Sequence, residues 1–351
     1  MMYLKQKKYY KIYIFTLLLI FIFISIIATT LGTVKIPAKD VVKIILSKIS
    51  FLSKKVDISN IKKSNIFIVI NIRLPRIILA SLVGAVLSIV GTCYQAIFRN
   101  PMADPYVMGA SSGAAFGATF GIIFGLNNTI LGFGLTSLFA FTGALLTTLI
   151  VYNLAKVGSK ISTTSILLAG IVISSLLSSI ISIMMVLNHN ELAKIVTWTM
   201  GSFNGANWKQ IIIVIIPIFL GVVVLFSMTK EMNAVVIGEE SAKNLGVNVE
   251  LVKKVILLLS SFLAACAVSV SGIIGFVGLI VPHLFRLIFG SDHRILIPIS
   301  VVGGAIFLLI CDTLARTALN GIEIPVGIIT SIFGGPFFLY LLRKSKRNKF
   351  I

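Results

Sequence analysis

The chain has 351 residues, of which 57% are hydrophobic and 12% charged, with a mean hydropathy of +1.05. A soluble domain is about a quarter charged, so this composition excludes a soluble globular protein and indicates a chain embedded in a lipid bilayer. The net charge of +20 does not indicate nucleic-acid binding, because the basic residues are spread over the chain ends and the loops between apolar segments.

Apolar segments of the length that crosses a bilayer as a helix, about 20 residues, recur along the chain. They predict an all-α polytopic membrane protein with about ten transmembrane helices. Only Ser271 and Gly272 separate the seventh span from the eighth, and merging the two would leave nine spans and place the termini on opposite sides. The ten spans are 12–32, 71–97, 108–126, 129–154, 164–187, 210–229, 254–271, 273–289, 295–317 and 324–342.

The distribution of basic residues predicts the orientation of these spans. With the N-terminus inside, 18 of the 31 Lys and Arg residues lie on the inner side, in agreement with the positive-inside rule. The segment 33–64 disagrees, because it is external in this topology and carries eight lysines. The first apolar run is longer than that of a secretory signal. We therefore expect an uncleaved first span and both termini in the cytoplasm.

The outer side of the first two spans is predicted to hold a loop over 33–70. Residues 38–49 have apolar side chains at helical spacing and predict a short amphipathic helix on the membrane surface. The second span then begins with IRLPR, which places Arg73 and Arg76 at the outer boundary. Their simplest role is to reach the lipid headgroups.

A turn-rich segment, Arg99–Pro105, precedes a helix that has glycine at every fourth position. Such glycines weaken a helix in water but let a second backbone approach closely inside a membrane. We expect close helix packing here, with a glycine-lined transport path as the alternative. The glycines are Gly109, Gly113, Gly117, Gly121 and Gly125.

Residues 230–254 form the longest predicted inner loop, and acidic residues balance its basic ones. Their pattern predicts a short helix, a glycine break and the start of a second helix. We interpret the loop as a docking element for a soluble partner, with an amphipathic segment on the inner leaflet as the alternative. The residues that form the pattern are Gly238, Glu239, Glu240, Ala242, Leu245 and Gly246.

Asp312 is the single acidic residue within the predicted spans, and Arg316 follows it by one helical turn. A carboxylate inside a membrane is a candidate functional group, but this spacing favours a structural ion pair. The three cysteines lie in predicted spans and indicate packing residues. The sequence contains no phosphate-binding loop, so we expect no ATP hydrolysis by this chain.

Ten spans also divide into two halves of five, and an odd number of spans in each half predicts inverted repeats with a path near their interface. In domain terms we expect a single transmembrane domain over 1–351. Its parts are the first span at 12–32, the external loop at 33–70, spans two to six at 71–229, the inner loop at 230–254, spans seven to ten at 255–342 and a basic cytoplasmic tail at 343–351.

A series of distinctive motifs follows from Arg73 to the C-terminus: RLPR (73–76), QxxxRNPMADP (95–105), GASSGAAFGA (109–118), GEESAKNLG (238–246), GFVGLIVPHLFR (275–286), DHR (292–294) and EIPVGIITSIFGGPFFLYLL (323–342). In this order the motifs resemble the FecCD permease family of ATP-driven importers for ferric siderophores, haem and cobalamin. Met102 is a small departure from the family pattern, where Leu is commoner.

The resemblance implies the type II ABC importer permease fold in the bacterial cytoplasmic membrane. It implies a homo- or heterodimer of permeases with the path at the dimer interface, two cytoplasmic ATPases that hold ATP and Mg, and an extracytoplasmic binding protein. It implies no cofactor or metal in this chain. It assigns Gly238–Gly246 to ATPase coupling, and docking of the binding protein to Arg73, Arg76 and Arg316. It places Asn100, Met102, Thr163 and Thr164 near the inner constriction of the path.

We expect an iron(III)-siderophore complex as the substrate, because it is the commonest substrate class of the family, with cobalamin or haem as alternatives. A secondary transporter or channel without an ATPase is the alternative of another class. The inner loop at 230–254 separates the two classes, because a carrier that works alone has no use for a docking helix.

Overall fold

The computed structural model describes residues 2–48, 56–125, 129–130, 133–157, 160–319 and 321–347, which are mainly helical. Parts of the predicted external loop (49–55) and basic tail (348–351), and the short breaks at 126–128 and 131–132 around the start of the fourth span, lie outside the described residues. The α-helices are α1 (Met2–Thr30), α2 (Ala38–Ser47), α3 (Lys63–Phe67), α4 (Leu74–Ile97), α5 (Ala110–Ile123), α6 (Leu135–Leu154), α7 (Thr163–Leu187), α8 (Leu192–Thr199), α9 (Trp208–Ser227), α10 (Thr229–Ile237), α11 (Glu239–Asn244), α12 (Val249–Ser271), α13 (Val277–Phe289), α14 (His293–Thr317) and α15 (Val326–Arg347).

Short non-α elements complete the described chain. A π-helical stretch, Ile68–Arg73, joins α3 to α4, and a 3₁₀ turn, His189–Glu191, precedes α8. Two antiparallel pairs of two-residue strands occur, β1 (Thr129–Ile130) with β2 (Phe133–Gly134) and β3 (Lys156–Val157) with β4 (Lys160–Ile161).

Seven helical stretches of the described chain are long and apolar enough to cross a membrane: α1, the continuous α3–α4 stretch, α6, α7, α9, α12 and α14. Three shorter apolar helices, α5, α13 and α15, coincide with the other predicted spans. With 14 residues, α5 is about 21 Å long, less than the roughly 30 Å hydrocarbon core. The number of crossings therefore stays a prediction, while the multi-pass helical architecture is established.

The boundary between the predicted seventh and eighth spans is a true helix break. Helix α12 ends at Ser271, and α13 begins at Val277. Gly272 has φ 68°, a value that L side chains rarely adopt. The two spans are therefore separate helices, because glycine permits the turn between them.

Helix α4 lies at the centre and packs on α9, α12, α13 and α14. Small residues make these contacts close: a Cβ at Gly84 would collide with the carbonyl of Gly304, and one at Gly91 with that of Gly278. Helices α1, α7 and α9 instead keep most of their apolar surface exposed in this chain. Small residues thus permit close backbone packing around α4, as expected where lipid removes the hydrophobic drive between helices.

Helix α2 lies where an amphipathic helix is predicted, but its apolar face packs on protein. Val41 and Ile44 are buried with Ile36, Ile61 and Val69 from the flanking loop and the start of the next span. The loop folds back and covers this apolar face with side chains of its own, and a position of α2 on the membrane surface stays a prediction.

Candidate functional site

On the side predicted to be outer, a group of charged residues, which we call the outer charge cluster, joins α4, α14 and the loop before α15. Arg76 donates from Nε to both oxygens of Asp312 at 3.1 Å and from Nη2 to Oδ1 at 2.9 Å. Its Nη1 donates to Glu323 at 2.9 and 3.0 Å. Asp312 is fully buried, whereas the side chain of Glu323 is 44% exposed. One arginine therefore bridges a buried carboxylate and a half-exposed one.

Arg73 and Arg316 complete the cluster by binding the end of α1. Arg73 donates from Nη1 to the carbonyls of Thr29 at 2.6 Å and Thr30 at 3.1 Å. Arg316 donates to the carbonyl of Leu31 at 2.8 Å and to that of Ala28. The last carbonyls of a helix have no partners within the helix and carry partial negative charge. The two guanidinium groups therefore cap the C-terminus of α1.

The sequence predicted part of this cluster. Its three arginines do come together, and each is largely buried with partners inside the chain. The predicted pair of Asp312 with Arg316 is present at 3.8 Å, but Arg76 is the closer partner at 2.9 Å. Glu323 begins one of the recognised motifs, but no role was predicted for it from the sequence. Nothing in the residues around it in the sequence indicated its contact with Arg76. Binding-protein docking by these arginines stays a prediction.

On the side predicted to be inner, α10, α11 and the start of α12 form what we call the coupling segment. Helix α11 ends in a Schellman motif: Gly246 has φ 80°, its N–H donates to Lys243 at 2.9 Å, and that of Val247 donates to Ala242 at 3.0 Å. The predicted helix, glycine break and second helix start therefore appear as α11, Gly246 and α12.

Apolar side chains on the coupling segment face away from the described chain. Ile237 is 74% exposed and Leu245 is 70% exposed, while Ala242 between them is fully buried. A large apolar residue at each end of a short helix is the kind of feature that inserts into a cleft of another protein. Leu245 was predicted for this role. Ile237 was missed, although it directly precedes the glycine at which α11 begins.

Two polar junctions hold the coupling segment to the membrane-embedded helices. At the first, Lys253 on α12 donates to Glu239 at 2.7 Å, and Arg99 lies 3.5 Å from the same oxygen. The hydrogen bond from Lys253, with the positive charge nearby, lowers the pKa of Glu239 below its ordinary value. Glu240, the next residue, is exposed.

The second junction ties α10 to the start of α14. Asn233 accepts from the backbone N–H of His293 at 2.9 Å and donates to Asp292 at 2.9 Å. Burial of Asp292 acts to raise its pKa, but hydrogen bonds from Arg294 and Asn233 outweigh it, and the pKa lies below its ordinary value. The DHR motif is thus an anchor for the helix that precedes α11.

The turn between α4 and α5, residues 98–109, which we call the elbow, contacts several helices. Tyr106 donates to the carbonyl of Ile274 in the break before α13 at 3.1 Å. A Cβ at Gly278 would collide with Pro105, and one at Gly170 with the carbonyl of Val107. The elbow is therefore packed against α13 and α7 at positions where only glycine fits.

The predicted gate residues lie on the elbow and at the start of α7. Asn100 accepts from the N–H of Met102 at 2.9 Å, an Asx turn that shapes the elbow. Thr163 and Thr164 begin α7, whose N-cap is Ser162. The contact between α7 and the elbow is at Gly170, about 10 Å further along the helix at 1.5 Å per residue. The elbow and α7 thus touch, but the contact involves neither Asn100 and Met102 nor Thr163 and Thr164, and a shared constriction stays a prediction.

The glycine-rich face of α5 packs against α6. A Cβ at Gly113 would collide with Gly143 and Thr147, and one at Gly117 with the carbonyl of Phe139. The other three of these five regularly spaced glycines differ from one another. A Cβ at Gly109 or Gly121 would lie about 3 Å from Thr147 or Thr136, whereas a Cβ at Gly125 would meet nothing within 4 Å. Four of the five glycines thus line a helix contact, and the fifth has φ 62° at the helix end.

Comparison with known proteins gives consistent matches over most of the chain. Residues 17–344 match the FecCD transport family. The cobalamin import permease BtuC of Halobacterium salinarum is 44% identical over 276 residues, 79% of this chain and 73% of that protein. The hemin permease HmuU of Yersinia pestis is 38% identical over 282 residues, 80% of this chain and 84% of that protein.

Further relatives extend the range of named substrates. An iron chelatin permease of Helicobacter pylori is 37% identical over 280 residues, 80% of this chain and 83% of that protein. The molybdate permease MolB of Haemophilus influenzae is 35% identical over 341 residues, 95% of this chain and 96% of that protein.

Among solved structures, a metal-chelate type ABC transporter in an inward-facing conformation matches this chain. The TM-score is 0.79 at 32% identity, over 94% of this chain and 98% of that one. This agreement in fold accompanies the agreement in sequence. The chain therefore belongs to the FecCD transport family, as a multi-pass permease subunit of the ABC importers in which separate subunits hydrolyse ATP.

Proposed function

We propose that this chain forms part of the transmembrane path for an iron(III)-siderophore complex that an extracytoplasmic binding protein delivers. The observation that carries the proposal is the match, over nearly the whole of both chains, to a transporter of metal-chelate type. Relatives named for iron chelatin and hemin support the same chemical class. Cobalamin is the second candidate, because the cobalamin permease is 44% identical.

The working assembly we propose contains a second permease subunit and two ATPases that bind ATP and Mg. In it the chain crosses the cytoplasmic membrane ten times, as two inverted halves of five, with both termini in the cytoplasm. Most of α7 is exposed in the isolated chain, including Ile171, Val172 and Leu187. Such a face suits contact with lipid or with the second permease. The ten helices that coincide with the predicted spans support this topology.

The coupling segment is proposed to bind the ATPase through α11. Exposed Ile237 and Leu245 flank the helix, and the Schellman motif at Gly246 fixes where it ends. Asn100 and Met102 on the elbow, with Thr163 and Thr164 on α7, are proposed to form the inner constriction. In this arrangement α11 receives the movement of the ATPase, and the elbow and α7 respond to it.

The outer charge cluster is proposed to orient the binding protein, with Arg73, Arg76 and Arg316 meeting its carboxylates. A guanidinium group binds a carboxylate through two parallel hydrogen bonds. Because Arg76 already bonds to half-exposed Glu323, a carboxylate of the partner must compete with this residue. The proposal therefore includes an exchange of partners at Arg76.

Reconstitution tests the proposal directly. Proteoliposomes that contain the permease and its cognate ATPase are supplied with the binding protein and with labelled ferric siderophores, cobalamin, hemin or molybdate. We expect ATP-dependent uptake of a ferric siderophore, with the other compounds failing to compete. Uptake of cobalamin or hemin instead would show that the proposed substrate is wrong. Uptake in the absence of any ATPase would contradict an ATP-driven import mechanism.

A further inference from the structure

The elbow and α11 are far apart in sequence but meet at a polar contact. Arg99 lies at the start of the elbow, and its Nη2 is 3.5 Å from Glu239, the first residue of α11. A depression of about 340 Å³ that opens to the surface adjoins this contact, lined by Arg99, Gly238, Glu239, Glu240 and Ser241. Because open space rather than packed side chains adjoins this contact, the ion pair is what joins α11 to the elbow here, and through it the elbow can follow α11.

Glu239 is held much more firmly on its other side. Lys253 on α12 has a side chain that is only 4% exposed, and it donates to Glu239 at 2.7 Å. A buried ammonium group that loses its carboxylate is left uncompensated in a medium of low polarity. Glu239 therefore stays with Lys253, and a movement of α11 carries the carboxylate and the start of α12 together.

Arg99 is placed to respond to such a movement. Its side chain is 41% exposed, and its backbone has φ 46°, a region that few residues other than glycine occupy. The elbow that begins at Arg99 contacts α7 through Val107 and α13 through Pro105. A displacement at Arg99 therefore acts on a turn that is packed against two helices.

We propose that Glu239 is a positioning residue that passes the movement of α11 to the elbow through Arg99. The inference rests on the proposed function, in which an ATPase moves α11. It assigns different tasks to two neighbouring carboxylates: Glu239 connects α11 to the elbow, and exposed Glu240 faces the partner. It also gives the elbow, which holds Asn100 and Met102, a connection to the coupling segment.

The strength of the contact sets the size of the expected effect. Ion pairs with this exposure change an equilibrium by a factor of about five or less. Replacing Arg99 with Gln should therefore lower the amount of substrate taken up per ATP hydrolysed by about two- to fivefold. Because Lys253 keeps its bond to Glu239 in this variant, the thermal midpoint and the affinity for the ATPase should stay as in the wild type.

The experiment compares wild-type permease with Arg99→Gln, Arg99→Lys and Lys156→Gln, each reconstituted with the ATPase and the binding protein. Lys156 is an exposed basic residue on the side predicted to be inner, and its replacement controls for a general loss of charge. Arg99→Lys keeps the positive charge and should recover part of the lost coupling. Uptake and ATP hydrolysis are measured in the same vesicles, with ATPase affinity and thermal unfolding measured on the purified complex.

The two proposals fail in different ways. If the wild-type complex shows no ATP-dependent uptake, the proposed function is wrong and the inference falls with it. If the wild type transports and Arg99→Gln takes up as much substrate per ATP as Lys156→Gln, the inference alone is overturned. A loss of uptake that is matched by an equal loss of ATPase affinity or thermal stability would likewise overturn it, because Arg99 would then be structural.

Discussion

At the outer end of α14, Asp312 is fully buried between Arg76 and Arg316, whereas Glu239 of the coupling segment is 39% exposed beside buried Lys253. Both sites place one carboxylate between two cations. They differ in how much water reaches the carboxylate, and the effective strength of an ion pair depends steeply on that access. The outer charge cluster therefore suits a fixed brace between helices, and the coupling segment suits a joint that can move.

The largest predicted effect tests the fixed side of this comparison. Asp312→Asn should lower the free energy of unfolding by about 3–5 kcal/mol, because removing one partner of a buried ion pair leaves the other charge uncompensated. Thermal unfolding in detergent measures the change. The control is Glu323→Gln, whose half-exposed side chain should contribute under about 1 kcal/mol. Equal losses of unfolding free energy in Asp312→Asn and Glu323→Gln would show that burial of the carboxylate does not determine its contribution to stability.

The matching substitution in the coupling segment should lower the free energy of unfolding by less than Asp312→Asn does. Glu239→Gln removes the charge that faces buried Lys253 but keeps an oxygen that accepts from it, and the carboxylate is itself 39% exposed, so a loss of about 1.5–3 kcal/mol is expected. Exposed Glu240 is the control, and Glu240→Gln should leave the thermal midpoint nearly unchanged. A loss for Glu239→Gln as large as that for Asp312→Asn would contradict the distinction between brace and joint.

Backbone conformation at the two glycines around α11 gives a smaller effect. Gly246 has φ 80°, whereas Gly238 has φ 160°, an extended value that other residues adopt. Gly246→Ala should therefore destabilise the end of α11 by about 1 kcal/mol, and Gly238→Ala should not. Hydrogen exchange at the α11 amides measures both variants. Faster exchange in Gly238→Ala than in Gly246→Ala would rule out the assigned role of the Schellman motif.

A modest effect is expected on docking of the binding protein. If carboxylates of the partner compete with Glu323 for Arg76, Glu323→Gln should raise the affinity for the binding protein by up to about fivefold. Salt should reduce the difference, because the Debye length falls from about 10 Å at 0.1 M to about 3 Å at 1 M. Binding is measured on permease in nanodiscs. An unchanged affinity at low salt would argue against docking through Arg76.

The smallest predicted effect is a dependence on pH at the coupling segment. The pKa of Glu239 is lowered from an ordinary value of 4.5, so its contribution to stability is present above pH 4.5 and is lost as the pH falls through the lower value in the folded protein. Protection of the α11 amides, measured as the exchange rate relative to that of unprotected amides at the same pH, should therefore fall below pH 4.5 in the wild type. Glu239→Gln should not show this fall, and an identical pH profile of protection in the two proteins would contradict the assignment.

Features that depend on neighbours in the sequence could be predicted. The apolar segments fixed where helices lie, and the pattern around Gly238 and Gly246 indicated α11 and its ends. The interval of four between glycines indicated a packing face on α5, as the collision at Gly117 illustrates. Each of these depends on residues within a few helical turns, so periodicity and turn chemistry carry the information.

Partners across the chain could not be predicted in this way. Arg316 had an obvious candidate four residues away in Asp312, yet Arg76, 236 positions distant, is the closer partner. The amphipathic pattern of the loop predicted α2, but not which side chains of the same loop would bury Val41 and Ile44.

The sequence by itself determined a multi-pass helical protein, the positions of its main apolar helices, and its family. Only the tertiary structure decided that Arg73 and Arg316 cap α1 and that Arg99 lies beside Glu239. The physical reason is that a charged side chain in a membrane protein takes whichever partner helix packing brings within reach. That packing depends on contacts between glycine-bearing faces such as those at Gly84 and Gly304, which no single segment specifies.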